Sequence, residues 1–181
     1  MTTSAEKGRE TMTTVAQILK MLSDKLDKVA VWISILYAFL VTVVVLSSVF
    51  LRMAGHAPSW SEEFARWMLV GIAFISASIA LKRGGHIGIT AIVKSIRIIW
   101  LNKLIIQISN ILVLIFLVYV FWFGLDAAIQ AADQMGDIIP FSMLYIKLHI
   151  PLGVAIMIVH VLYYIIGIMR THEPEKFLLS Q

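Results

Sequence analysis

The sequence predicts an all-α integral membrane protein with four transmembrane helices, and three observations carry the prediction. Of the 181 residues, 60% are hydrophobic and only 14% charged, with a mean hydropathy of +0.89; a soluble domain is about 45–50% apolar and about 25% charged. Three runs of 22 or 23 residues hold no Asp, Glu, Lys or Arg. The 15 Lys and Arg residues also alternate in density between the segments that join these runs, as they do in chains threaded back and forth through a bilayer. With no cysteine, disulfides, thiolate nucleophiles, cysteine–zinc sites and cysteine-held iron–sulfur clusters are excluded. The net charge of +4 is read as a membrane border and not as a nucleic-acid footprint, because placement matters more than sum in so apolar a chain.

The first span is expected at residues 29–51, since roughly 20 apolar residues cross a hydrocarbon layer about 30 Å thick. The second needs more argument, because Trp67 to Leu81 is too short alone. Pro58-Ser59-Trp60-Ser61-Glu62 reads as a helix start, with Ser59 as cap and Glu62 three residues later closing a capping box. The span then covers 60–82, with Arg66 in a local ion pair to Glu62 or Glu63, four and three residues away. Spans three and four are expected at 104–125 and 148–169.

Orientation follows from the basic residues. Twelve of the 15 lie before span one, between spans two and three, or after span four; only Arg52, Arg66 and Lys147 lie on the other side. Both termini are therefore expected in the cytoplasm. Lys82, Arg83, Lys94 and Arg97 read as anchors for anionic phospholipid headgroups, and Trp32, Trp60, Trp67, Trp100 and Trp122 mostly as interfacial belt residues.

The connecting segments divide into three kinds. Residues 1–28 lack the apolar core of a cleavable signal peptide, and Val15, Ile18, Leu19 and Leu22 suggest a short amphipathic helix on the cytoplasmic surface. Residues 87–103 repeat that pattern, with Ile89, Ile92, Val93, Ile96 and Trp100 on one face, and predict an interfacial helix turned at Gly84-Gly85. The loop from Asp126 to Lys147 is acidic; Asp126, Asp133 and Asp137 share a face if span three continues as a helix until Gly136 and Pro140 break it. The domain reading is thus an N-terminal segment 1–28, a membrane domain 29–170 and a tail 171–181.

Chemistry is sparse. Membrane enzymes and pumps place ionisable groups inside the hydrocarbon, and here His160 is the one such residue near mid-membrane. It reads as a neutral interhelical hydrogen-bond partner, as do Gln107 and Asn110. Ser47 or Ser48 with His160 is a thin basis for a serine protease, and no histidine pair has metal-ligand spacing. No span is interrupted by Gly or Pro in two inverted halves, as transporters with a midplane site require; Gly71 and Gly153 read as close-packing points. No cofactor or metal is expected, and the chain reads as a membrane partner subunit rather than an enzyme. The alternative is a self-sufficient homo-oligomeric channel or membrane enzyme, for which Ser34, Thr42 and Ser48 form too sparse a polar stripe. On the outer surface, Trp60, Glu62, Glu63, Asp126, Asp133 and Asp137 are candidate docking residues that could steer a basic patch; for Glu62 and Glu63, helix capping explains the sequence equally well.

Trp60, Glu62, Glu63 and Arg66, followed by Arg83, Gly85, His86 and Ile87, and then Ile139-Pro140 and Pro151-Leu152-Gly153, resemble the small membrane subunit of tripartite ATP-independent periplasmic (TRAP) transporters, the DctQ type. The resemblance covers about residues 28–170, with Ser76-Ala77-Ser78 standing where a Gly is expected. It implies a bacterial inner-membrane protein that scaffolds a large permease subunit carrying the sodium and substrate sites. It also implies docking by a periplasmic substrate-binding protein, and substrates that are organic acids such as dicarboxylates or sialic acids.

Overall fold

The computed structural model describes the backbone of residues 4–56, 58–84 and 99–170, and the side chains of 13–56, 58–83 and 100–169. Five helices account for nearly all of it: α1 (Ser4–Met53), α2 (Trp60–Gly84), α3 (Ile99–Ile129), the short α4 (Met143–Lys147) and α5 (His149–Arg170). Four stretches are long and apolar enough to cross a membrane, and each expected span falls inside one of them. Most of the interfacial helix expected at 87–103, with Lys94 and Arg97, lies outside the described residues, as do Gly85, His86, Ile87 and the tail 171–181.

The largest departure from expectation is α1. The separate amphipathic helix and span one are a single 50-residue helix, roughly 75 Å long. The first proline in the sequence is Pro58, so nothing in residues 4–53 obliges the backbone to stop. Termination comes at Gly55, whose φ of +82° is the one positive value among the described residues. His56 N–H donates to Leu51 O at 2.9 Å and Gly55 N–H to Arg52 O at 3.1 Å, a Schellman arrangement that requires the left-handed conformation glycine adopts without strain.

α3 also ends differently from expectation. It stops at Ile129, seven residues before Gly136, and tightens into i→i−3 bonds from Ala131 to Ala128 O and Ala132 to Ile129 O. Neither Gly136 nor Pro140 breaks it. The carbonyls beyond are claimed by the chain returning across them: Ser142 Oγ donates to Ala132 O and Met143 N–H to Gln134 O, both at 2.8 Å. Ser142 then caps α4 by accepting from Leu144 N–H. In α5, Pro151 sits in the first turn, where its missing N–H has no intrahelical role.

α5 is the hub, packing on α1, α2 and α3, whereas α3 packs chiefly on α5. In the most apolar stretch of each span, 44% of residues are buried for Met143–Met169 but only 6% for Thr13–Met53. Two apolar clusters join α3 to α5: Leu117 with Val154, Met157 and Val161, and Ile106 with Tyr163, Tyr164 and Ile168. Glycine allows the tightest contacts. A Cβ at Gly71 would lie 2.5 Å from the Tyr37 ring, and one at Gly153 2.7 Å from Phe74 O; both are close-packing points, as the sequence suggests.

α1 is held by polar ties. Tyr37 Oη lies 2.8 Å from His149 Nε2, and His149 Nδ1 lies 2.9 Å from Ile146 O. A carbonyl only accepts, so Nδ1 carries the proton and Nε2 accepts from the Tyr37 hydroxyl. Toward the end where α5 finishes, Ser23 Oγ lies 2.8 Å from Nδ1 of the fully buried His160. Ser76 donates to Ser34 at 3.2 Å, so the serine-rich stretch of α2 serves as a polar contact on α1. Lys82 and Arg83 pair with Asp24 at 2.7 Å and Asp27 at 2.8 Å, and the Tyr164 hydroxyl donates to Lys82 O.

Arg83 is half-exposed, so its pair with Asp27 stabilises by no more than about 1 kcal/mol. Asp27→Arg is expected to lower Tm in detergent, and adding Arg83→Asp to recover part of the loss. A double-mutant cycle with no coupling would show that the two charges do not interact.

Candidate functional site

The candidate docking residues gather at one end of the bundle, where α1 ends, α2 begins and the loop 130–142 joins α3 to α4. That loop has little secondary structure, with an isolated bridge between Met135 and Ser142, yet it is ordered by its own hydrogen bonds and by Glu63. The Glu63 carboxylate accepts from three consecutive amides: Asp137 N–H at 2.7 Å, Ile138 N–H at 3.0 Å and Ile139 N–H at 2.8 Å. Successive amides converging on one anion form a backbone nest. Gly136 leads into it, and a Cβ there would lie 2.6 Å from Ile139 O, 2.7 Å from the Trp67 ring and 2.8 Å from Glu63 Oε1. Trp67 is buried beneath the loop against Phe141, at a ring separation of 6.2 Å.

This geometry separates two neighbouring glutamates that read alike in the sequence. Glu63 is buried and faces inward as a structural anion. Glu62 is exposed and pairs with Arg52 of α1 at 2.8 Å, so the expected local pair to Arg66 is replaced by one between helices. Arg66 makes no hydrogen bond or ion pair among the described residues. The same holds for the expected Ser59 cap; Ser61 Oγ instead donates to Pro58 O at 2.8 Å and lies 2.9 Å from Ser48 Oγ.

Asp126, Asp133 and Asp137 are all exposed but do not share a helical face, because α3 ends before the last two. Asp126 accepts from Gln130 Nε2 at 2.7 Å, and Asp137 contributes its amide to Glu63 while its side chain faces outward. Trp60 is exposed beside Phe64, with ring centroids 6.4 Å apart. The structure therefore brings Trp60, Glu62, Asp126, Asp133 and Asp137 to one end of the molecule and places Glu63 underneath as a support.

At the other end, Lys82 is buried in its pair with Asp24 and Arg83 is bonded to Asp27, so both hold α1 to α2 where headgroup anchoring was expected. The reason is position: Asp24 and Asp27 lie on α1 at the height where α2 ends, and an ion pair between helices satisfies both charges locally. Trp67, expected in a belt, is buried under the loop; Trp32, Trp100 and Trp122 are exposed. Gln107 Oε1 and both amide atoms of Asn110 are buried without a hydrogen-bond partner among the described residues, so they do not form the interhelical bonds expected of them.

Arg52, Asp24, Asp27, Ser23, Tyr37 and His149 carry ties that sequence reasoning missed. One signal was available: Asp24 and Asp27 lie three apart, on the same predicted side of the membrane as Lys82 and Arg83. No group of three or more His, Asp or Glu among the described residues is arranged to hold a metal.

A family model for the DctQ component of tripartite ATP-independent periplasmic transporters matches residues 41–171. No curated protein sequence matches the chain. The matched segment takes in the C-terminal quarter of α1 and all of α2 to α5, including the loop that Glu63 holds. Such a component works alongside a large membrane subunit and a binding protein, and four long apolar helices agree with a multi-pass inner-membrane location. Motif, fold and family model converge, and the chain belongs to the DctQ component family of TRAP transporters.

Proposed function

We propose that this chain is the non-catalytic small permease subunit of a sodium-driven uptake system for organic acids, of the dicarboxylate or sialic acid type. It scaffolds the large permease subunit and helps dock the periplasmic substrate-binding protein. The observation that carries this reading is the contrast between α5 and its neighbours. α5 is packed on three sides, while α1 and α3 present broad apolar faces that include Phe39, Phe50, Phe116 and Trp122. Between Lys103 and Asp126, and from Leu148 to Met169, there is no Asp, Glu, Lys or Arg from which to build an ion path.

In this reading both termini are cytoplasmic and the loop 130–142 faces the periplasm. Trp60, Glu62, Asp126, Asp133 and Asp137 form the docking surface, with Glu63 as the residue that positions it. Lys94 and Arg97 remain anchors for anionic phospholipid.

The test is a mild-detergent pull-down from native membranes through a C-terminal tag, read by mass spectrometry. An equimolar large permease subunit in the eluate is the expected result; this chain alone, as a defined oligomer, would overturn the scaffold reading. Docking is tested separately by Asp126→Lys with Asp133→Lys, neither of which touches the Glu63 nest. Complementary charge mainly sets association rate, so the pair is expected to slow binding-protein association about tenfold at low salt while the membrane complex stays intact. An unchanged rate refutes the docking surface.

A further inference from the structure

We propose that the groove between the C-terminal end of α1 and the N-terminal end of α2 is a seat for one anionic phospholipid of the leaflet on the Glu63 side. The groove encloses about 540 Å³, within the roughly 300–1,000 Å³ typical of ligand sites. Its walls are Val45, Val49 and Met53 from α1 and Ala65 from α2, with Arg52 and Arg66 along its length. Apolar walls beside cations match an acyl chain joined to a phosphate.

Arg66 makes the case specific. It lies six residues into α2, roughly 9 Å along the helix, and is exposed. An arginine at such a depth needs a counter-charge or a path to the headgroups. Glu62 is taken by Arg52; Glu63 gives Arg66 a nearby opposite charge but turns its oxygens to three amides, which leaves the Arg66 donors without a bonded partner among the described residues. Counting Arg52, Glu62 and Arg66, the groove keeps one net positive charge. A guanidinium presents a planar fork of donors that fits a phosphate group.

A second hollow on the other side of Arg66, of about 700 Å³, is lined by Glu63 and Asp137 as well as Lys147, so that with Arg66 its charges cancel. Those carboxylates repel an anion, so the phosphate belongs in the groove between α1 and α2. The proposal rests on the membrane embedding and not on the docking surface, and either can fail without the other.

The test is native mass spectrometry of the full-length chain co-purified with its large subunit. The complex is stripped of lipid in detergent and then offered dioleoyl phosphatidylglycerol or dioleoyl phosphatidylcholine. The wild-type complex is expected to retain one phosphatidylglycerol per copy of this chain in preference to phosphatidylcholine. Arg66→Gln is expected to reduce that occupancy about fivefold, as for one basic contact near a lipid headgroup. Val49→Trp, which fills the groove and keeps its charge, is expected to abolish it. Lys147→Gln, which removes a cation from the same end but outside the groove, is expected to leave it unchanged. Equal retention of the two lipids, or wild-type retention by Arg66→Gln, overturns the proposal. So does efficient cross-linking of Val49→Cys to the large subunit in native membranes, because protein would then fill the groove.

Discussion

Glu63→Ala is expected to unfasten the loop 130–142 without dissolving the helices. The wild-type carboxylate holds three amides at 2.7–3.0 Å, and hydrogen bonds to a charged group contribute about 1.5–3 kcal/mol each. Water can enter and solvate part of what alanine leaves bare, so the expected net loss is about 3 kcal/mol rather than the full sum. In hydrogen exchange, the amides of Asp137, Ile138 and Ile139 should then exchange about a hundredfold faster. Those of α5, inside the bundle, should keep their protection. Glu63→Gln keeps one acceptor oxygen but turns an NH₂ group toward the nest, and should fall between the two. If the three amides stay protected in Glu63→Ala, the loop is held by its own bonds at Ala132, Gln134 and Phe141, and the nest is incidental.

Gly153→Val is the second large effect expected, and it acts on the whole bundle. Even a methyl group there would come within 2.7–2.8 Å of the Phe74 carbonyl and Cβ. The obstacle includes backbone, which cannot swing aside as a side-chain tip would, so α2 and α5 must separate. Overpacking of this kind costs about 1–3 kcal/mol and occasionally more, and here it falls on the hub helix. Gly153→Val should lower Tm by several degrees and reduce recovery of folded protein, with Gly153→Ala less severe. Gly124→Ala serves as a control, because a Cβ there meets its nearest neighbour at 3.1 Å, a side-chain methyl group of Ile150 rather than backbone. A Tm for Gly153→Val matching wild type would show that the helices are not in close contact at this point.

The spans were legible because hydrocarbon thickness imposes a length and an exclusion of charge that any sequence must display. The same rule explains why α1 was misread. Hydropathy reports where the lipid begins, near Val29, but the backbone has no reason to change there, and the polar residues before it form helix equally well. Within the candidate site, acidity was legible and direction was not. Glu62 and Glu63 are adjacent and chemically identical, and a helix turns about 100° between them, so one meets Arg52 and the other the loop. Which one turns inward depends on where residues 136–139 return, some 74 positions later. Nothing local to Trp60–Arg66 encodes that return. The ion pairs of Lys82 and Arg83 escaped for a related reason: a basic pair at a helix end looks like a lipid anchor until an acidic pair on another helix is known to stand at the same height.

The polar ties of α1 have a mechanical meaning. From Ser23 to Arg52 the helix runs for about 44 Å, and along that length it is fastened at the level of His160, again at His149, and again at Glu62. A rod attached at one point can pivot, and one attached at two can still roll about the line that joins them. Attachment at three well-spaced heights to two different neighbours removes both freedoms, so sliding α1 by even one helical turn would break every fastening together. The longest of the described helices, which has the least buried apolar stretch of the four, is thereby pinned in height and rotation by polar bonds where apolar packing alone would leave it loose.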